Sequence, residues 1–160
     1  MSCTPETITI ERTRDYAAVR AIVTHPRLYR RLADDFSPAP ENWEPAVDER
    51  IYYLLVRHQG NVIGAAMFHP ETACCYQGHL AVLPEAWGPT SVAASRALIR
   101  WMFANSPCVR LVVHIPEENR LALRLARAAG MSRFGLNERA VSRGGRLCNL
   151  VLLGISKQEA

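Results

Sequence analysis

The chain has 160 residues, of which 49% are hydrophobic and 21% charged, and it carries a net charge of +4. This length and balance predict one globular domain, residues 1–160, with a real core, and exclude a low-complexity polypeptide. No apolar run is long enough to span a bilayer, and the opening MSCTPETITIERTRDY lacks the basic-then-apolar layout of a signal peptide, so a cytoplasmic protein with no membrane partner is expected.

In chain order, TITIER (7–12) alternates apolar and polar residues and predicts a short strand. TRDYAAVRAIVTH has helical spacing, with Thr13 as its expected cap. PRLYRRLADD opens on Pro26 and predicts a second helix, which Pro38 and Pro40 prevent from continuing. The stretch 36–50 is a long loop of the kind that covers binding sites. RIYYLLVRH and VIGAAMFH, joined through a short turn, predict a hairpin. CCYQGHLAVL predicts a further strand, residues 89–105 a helix, and VRLVVHI a buried strand. EENRLALRLARAAG is helical up to Gly130, with Leu121, Leu125 and Ala129 as the expected core stripe and Arg120, Arg124 and Arg127 on one other face. FGLNERAVSRGGRLCNLVLLGI predicts two strands about a Gly-Gly turn.

This order predicts an α/β domain: a mixed, mostly antiparallel sheet with helices on both faces. The crossover through helix 89–105 makes the strands near 74–83 and 109–115 parallel neighbours, which are expected to splay at their ends.

Five cysteines (3, 74, 75, 108 and 148) form no CxxC pair and no metal-ligand spacing, so reduced thiols and no metal are expected. Residues 1–95 hold eight arginines against eleven acids, whereas residues 96–160 hold ten arginines and one lysine against four acids. Six acids fall in LADDFSPAPENWEPAVDE (32–49). The basic charge is neither spread evenly nor gathered in a tail, so nucleic acid is not an expected partner. One half suits an anionic ligand and the other a cationic one, although solvated faces give the same split. A Ser-His-Asp hydrolase lacks its Gly-x-Ser-x-Gly elbow here, and a Walker nucleotide site lacks its Gly-Lys-Ser/Thr.

Two segments resemble the GNAT acyltransferase superfamily. LAVLPEAWGPTSVAASRALIRWMF is similar to the family's strand, [QR]-x-x-G-x-[GA] loop and helix. NRLALRLARAAGM is similar to its N-x-x-A-x-x-x-Y-x-x-x-G-[FM] helix. The order of MFHPETACCYQGHLAVLPEAWG, the Asp-Asp-x-Ser-Pro stretch and the closing LGIS look more narrowly like small homologues encoded by bacteriophages. The resemblance implies a single GNAT-like domain and acetyl-CoA as acyl donor. It implies that the cofactor's pyrophosphate lies on Trp87, Gly88, Pro89, Thr90, Ser91 and Val92, after Leu80 and Val82 of the strand. The family's arginine or glutamine falls at Trp87, its glycine at Thr90 and its glycine or alanine at Val92, so the loop is expected to be a weakened grip. Asn119 matches the family's asparagine beside the pantetheine arm, and is equally a helix cap. Arg124 and Arg127, or Arg96 and Arg100, are expected near a coenzyme phosphate or on a solvated face.

Transfer of an acyl group to an amine needs a base for the amine and a proton for the departing thiolate. The family's tyrosine is here Ala126, and its glutamate on the fourth strand is replaced near Tyr76. His79, His114 and Tyr76, with His69, are therefore the catalytic candidates, and each strand histidine also has a purely structural reading. Asp34 and Asp35, with Glu41, Glu44, Phe36 and Trp43, are candidates for holding a cationic amine acceptor, or form a solvated loop. The expected function is acetyl-CoA-dependent N-acylation of a primary amine on a protein or small molecule. The alternative is a noncatalytic protein of the same fold in a phage virion or bound to a host protein. Oligomeric state, a homodimer included, stays open.

Overall fold

Period-two alternation fills both faces of one sheet, so the chain builds two cores rather than one. The protein is described by a computed structural model covering residues 7–160; Cys3 lies outside the described residues. Its elements are β1 (Ile8–Arg12), α1 (Tyr16–Val23), α2 (Pro26–Leu32), β2 (Tyr52–His58), β3 (Asn61–Pro70), β4 (Cys75–Val82), α3 (Pro89–Asn105), β5 (Arg110–Pro116), α4 (Arg120–Ala128), β6 (Ser132–Arg143) and β7 (Arg146–Ser156). The seven strands form one sheet in the order β1-β2-β3-β4-β5-β7-β6. Every neighbouring pair is antiparallel except β4–β5.

Leu54, Val56, Ala66, Phe68, Tyr76 and Val82 face α3 and α4, where they pack with Leu98, Met102, Leu123 and Ala126. Tyr53, Leu55, Ala65 and Ala81, one residue out of phase, pack with Val19 and Ile22 of α1 and Leu28 of α2. Helices therefore cover both faces, as the element order predicts.

Two local expectations are corrected. Asp15, not Thr13, caps α1: its carboxylate accepts from the Ala18 N–H at 3.0 Å, while the Thr13 hydroxyl accepts from the Asp15 N–H at 2.9 Å. In α4 the buried stripe is Leu123, Ala126 and Ala129, whereas Leu121 is exposed. The phase is set by the cleft and sheet beneath the helix, which the local pattern of leucines does not encode. Gly130 does follow the helix end, where the amides of Gly130 and Met131 bond to the carbonyls of Arg127 and Ala126.

Candidate active site

β4 and β5 are paired only from Cys75–Arg110 to Gln77–Val112, and then separate. Beyond that point the strands wall a cleft of about 350 Å³. Gly78, His79 and Leu80 lie on one side and Val113, His114 and Ile115 on the other. From Gly78 onward β4 keeps its β3 partners but has none on the β5 side, so its backbone edge opens into the cleft. Gly78 is required here because a Cβ would lie 2.7 Å from the Phe68 ring, which also lines the cleft. Ser95 and Ile99 of α3, with Asn119, Ala122 and Ala126, cover one face; Arg31 to Asp34 and the β6 residues Val141 and Arg143 also line it.

Alternation along β3, β4 and β5 puts His69, His79 and His114 on the face shared with α1 and α2. His69 Nε2 and His79 Nε2 are 3.2 Å apart, with their rings stacked at 5.3 Å between centroids. One ring must present N–H and the other a lone pair. Crowding in the cleft first, then His69 and His114, push the His79 imidazole down to about 4. Its ring still meets cleft solvent, and at neutral pH His79 is an uncharged base. His114 Nε2 stands 4.0 Å from Glu71 Oε1.

Tyr76 is not part of this group. It is buried in the core beside Tyr52, and burial raises its hydroxyl above the ordinary value, with Tyr52 adding to the shift. Such a tyrosine is a poor proton donor to a cleft it does not line.

At the α3 end, Gly88 is the N-cap with φ 101° and ψ −140°, a conformation closed to side-chain-bearing residues. Pro89 has no N–H, and the N–H groups of Ser91 and Val92 both turn to the Gly88 carbonyl, at 3.1 and 3.3 Å. The Ser91 hydroxyl also donates to that carbonyl at 2.7 Å and is buried, so it is not a ligand donor. Thr90 and Val92 are half-buried. The Val82 carbonyl accepts the Trp87 indole N–H at 2.8 Å and its side chain is core, whereas Leu80 lines the cleft. Asn119 caps α4, accepting from the Ala122 N–H at 3.2 Å, and it also lines the cleft. Arg124 and Arg127 are exposed and away from the cleft lining, and Arg96 donates to the Ala128 carbonyl at 2.8 Å, capping α4.

The acids of 32–49 separate by role. Asp35 accepts from the Ser142 hydroxyl at 2.7 Å and from the N–H groups of Gly144 and Gly145 at 2.7 and 2.9 Å. These bonds, Ser142 first, hold its carboxyl below the usual range. Asp35 thus tethers the β6–β7 turn and does not line the cleft. Glu44 pairs with Arg20 at 3.3 Å and Asp48 with Arg50 at 3.1 Å. Trp43 packs with the α1 core and lies outside the cleft lining. Only Asp34 lines the cleft. Its Oδ1 accepts from the Phe36 N–H and the Ser37 hydroxyl, leaving Oδ2 without a partner among the described residues. Arg31 and Arg143 line the cleft as well, and nothing in their spacing marks them for it. Among the described residues no group of three or more His, Cys, Asp or Glu could hold a metal ion, and no helix is long and apolar enough to cross a membrane.

The sequence matches the acetyltransferase (GNAT) family over residues 16–131. The chain belongs to that family. Its fold is the GNAT fold: a seven-stranded mixed sheet with one parallel pair and four helices. Among solved structures it is similar to spermidine N-acetyltransferase from Vibrio cholerae, in complex with CoA and spermine, at 14% identity and a TM-score of 0.77, over 95% of this chain and 96% of that one. It is also similar to the aminoglycoside acetyltransferase AAC(6')-Ib, in complex with coenzyme A and kanamycin, at 16% identity and a TM-score of 0.73, over 96% of both chains. At these identities the likeness establishes the fold alone. No curated protein matches this sequence.

Proposed function

We propose that this chain moves an acetyl group from acetyl-CoA to a primary amine. The observation that carries this reading is the splayed β4–β5 cleft with His79, uncharged at neutral pH, on its wall and His69 stacked against it. The residues present suit a coenzyme A thioester. The free edge of β4 offers backbone partners for an amide-bearing arm, Asn119 and Ala126 leave room beside it, and the positive φ of Gly88 sets the path of the chain into α3. Similar chains bound to CoA with spermine or kanamycin support the choice of donor and of an amine acceptor.

When bound, acetyl-CoA supplies an activated carbonyl: a C–N bond forms to the amine, the C–S bond breaks, the amine gives up a proton and the thiolate takes one. In this reading His79 accepts the amine's proton at a ring nitrogen, and the His69 contact passes charge toward solvent. Asp34 Oδ2 receives the ammonium before reaction. An N–H on the free edge of β4 holds the thioester oxygen. With Ala126 where the family has tyrosine, water or His114 returns the proton to the thiolate. Leu80 and the 87–92 loop lie along the donor, with Arg124 and Arg127 as outer charges. Free thiols at Cys74, Cys75, Cys108 and Cys148 support a reducing, cytoplasmic setting.

One observation favours the noncatalytic alternative: the Ser91 amide is turned inward to the Gly88 carbonyl and no tyrosine stands at Ala126. The narrower phage-encoded origin, with its virion or host-protein partner, rests on the sequence resemblance alone. The test is calorimetric titration with acetyl-CoA, followed by thiol release in the presence of an amine panel. Binding and amine-dependent thiol release are expected; binding of neither donor nor its non-reactive analogue leaves the noncatalytic reading.

A further inference from the structure

The residue that replaces the loop's usual cation does not leave the place without charge. Trp87 is pinned by its indole N–H on the Val82 carbonyl, immediately before the cap of α3. Over its ring lie two guanidiniums from α2: Arg27 with Cζ 5.1 Å from the centroid, and Arg31 with Cζ 5.3 Å. They are four residues apart on one short helix, an arrangement in which like charges repel. Among the described residues neither guanidinium has a carboxylate within ion-pair distance. Among the described residues neither side chain makes a hydrogen bond, while the Arg27 backbone N–H donates to His25 Nδ1 at 3.2 Å. The indole face offsets part of that repulsion, since it attracts cations. What it does not supply is an anion. Two guanidiniums over one indole beside a helix start, with no side-chain hydrogen bond among the described residues, match a ligand bearing two adjacent phosphates.

We infer that Arg27 and Arg31, carried on Trp87, grip the pyrophosphate of the acyl donor and supply the contact that Trp87, standing at the family's arginine-or-glutamine position, does not make itself. This rests on the acetyl-CoA reading above, and it moves the main cationic contact from the loop between β4 and α3 to a different element, α2. Because Arg31 also lines the cleft, the same helix reaches from the donor's phosphates to the acceptor wall at Asp34.

The test is calorimetric titration of four proteins, wild type, R27Q/R31Q, R27K/R31K and R31Q, with acetyl-CoA, 3′-dephospho-acetyl-CoA and S-acetylpantetheine, which has no phosphate. The double glutamine variant should lose acetyl-CoA affinity by on the order of a hundredfold, with R31Q alone near tenfold. The lysine pair should recover part of the loss, because charge returns without the bidentate fork. Dephospho-acetyl-CoA should show the same loss, and S-acetylpantetheine none. The loss for acetyl-CoA should shrink at high salt, since both side chains are exposed. Unchanged far-ultraviolet circular dichroism and unchanged S-acetylpantetheine affinity separate this from unfolding. If wild type binds acetyl-CoA and R27Q/R31Q binds it equally, the inference is wrong while the function stands. A loss that disappears with dephospho-acetyl-CoA assigns the arginines to the 3′-phosphate and overturns the pyrophosphate grip. Wild type that binds none of the three removes the functional reading and this inference together.

Discussion

The start of α3 and the β6–β7 turn are held by different physics. At α3, one residue in a conformation reserved for glycine sets the chain's path, and the amides that follow are satisfied locally. At the β6–β7 turn, an exposed carboxylate on the loop after α2 reaches across to three donors, and Arg143 donates back to the Arg30 carbonyl at 2.9 Å. Backbone geometry of the first kind is insensitive to pH and salt. Exposed charged bonds of the second kind respond to both. In the acetyl-transfer reading proposed above, the donor end at α3 is therefore expected to be rigid, and the acceptor wall at the β6–β7 turn adjustable.

The largest effect should fall between the two ends, at the histidines. Replacing His79 with Phe should lower kcat by about a hundredfold, the lower range for a general base, with acetyl-CoA affinity unchanged. An unchanged kcat would leave proximity as the whole of the catalysis. Because the folded imidazole is depressed to about 4, His79 stays an active base down through the ordinary histidine range near 6.5. H69A removes a neighbour that pushes it down, so the acid limb of the pH–rate profile should move up toward 6.5. The sign for folding is the same. Between about 6.5 and 4 the unfolded imidazole binds more protons than the folded one, so stability is full above that window and falls as pH drops through it. H79F should flatten this slope in thermal melts.

Next comes the rigid end. A Cβ at Gly88 meets nothing within 4 Å, so Gly88→Val fails through φ and not through crowding. The strain is about 1–3 kcal/mol, relieved by shifting the loop. Acetyl-CoA affinity should fall more than tenfold while the fold persists, as read by titration and circular dichroism. A variant that unfolds outright would show that the loop supports the core as well as the ligand.

Asp35→Asn should act at the other end alone, raising the acceptor KM several-fold and leaving donor affinity as it was. The Asp35 carboxyl is held below its ordinary value in the folded protein. Its tether is therefore complete above the unfolded value near 4 and is lost as pH falls through the lowered one. An equal shift in donor affinity would mean that the two ends are coupled through α2. The smallest effect belongs to Tyr76→Phe, which should change kcat less than twofold because the hydroxyl sits in the core beside Tyr52, away from the cleft.

Much of this architecture is legible in the sequence. Pro26 and Pro89 mark helix starts and residues 89–105 form the expected helix. Gly144 and Gly145 form the expected turn, and the crossover makes β4 and β5 the parallel pair. His79, His114, Leu80 and Asn119 reach the cleft because strand alternation and a helix start place them there. Such signals act over a few residues, where steric limits on φ and ψ and the period of side chains decide the outcome.

What only the tertiary structure decided has partners far away along the chain. Asp34 and Asp35 are neighbours of the same type, yet one lines the cleft and the other holds donors 107 to 110 residues distant. Trp43 went to the α1 core instead of the acceptor groove, and Tyr76 to the core under α3. The Arg27–Arg31 pair is visible in PRLYRRL, but its place over Trp87 depends on packing α2 against the β4 side of the sheet. A charged side chain's role is set by which groups it meets in space, since hydrogen bonds and Coulomb terms depend on distance and not on spacing in the chain. Local sequence therefore fixes where the strands, helices and glycine turns lie, and three-dimensional contact alone assigns each acid and arginine its work.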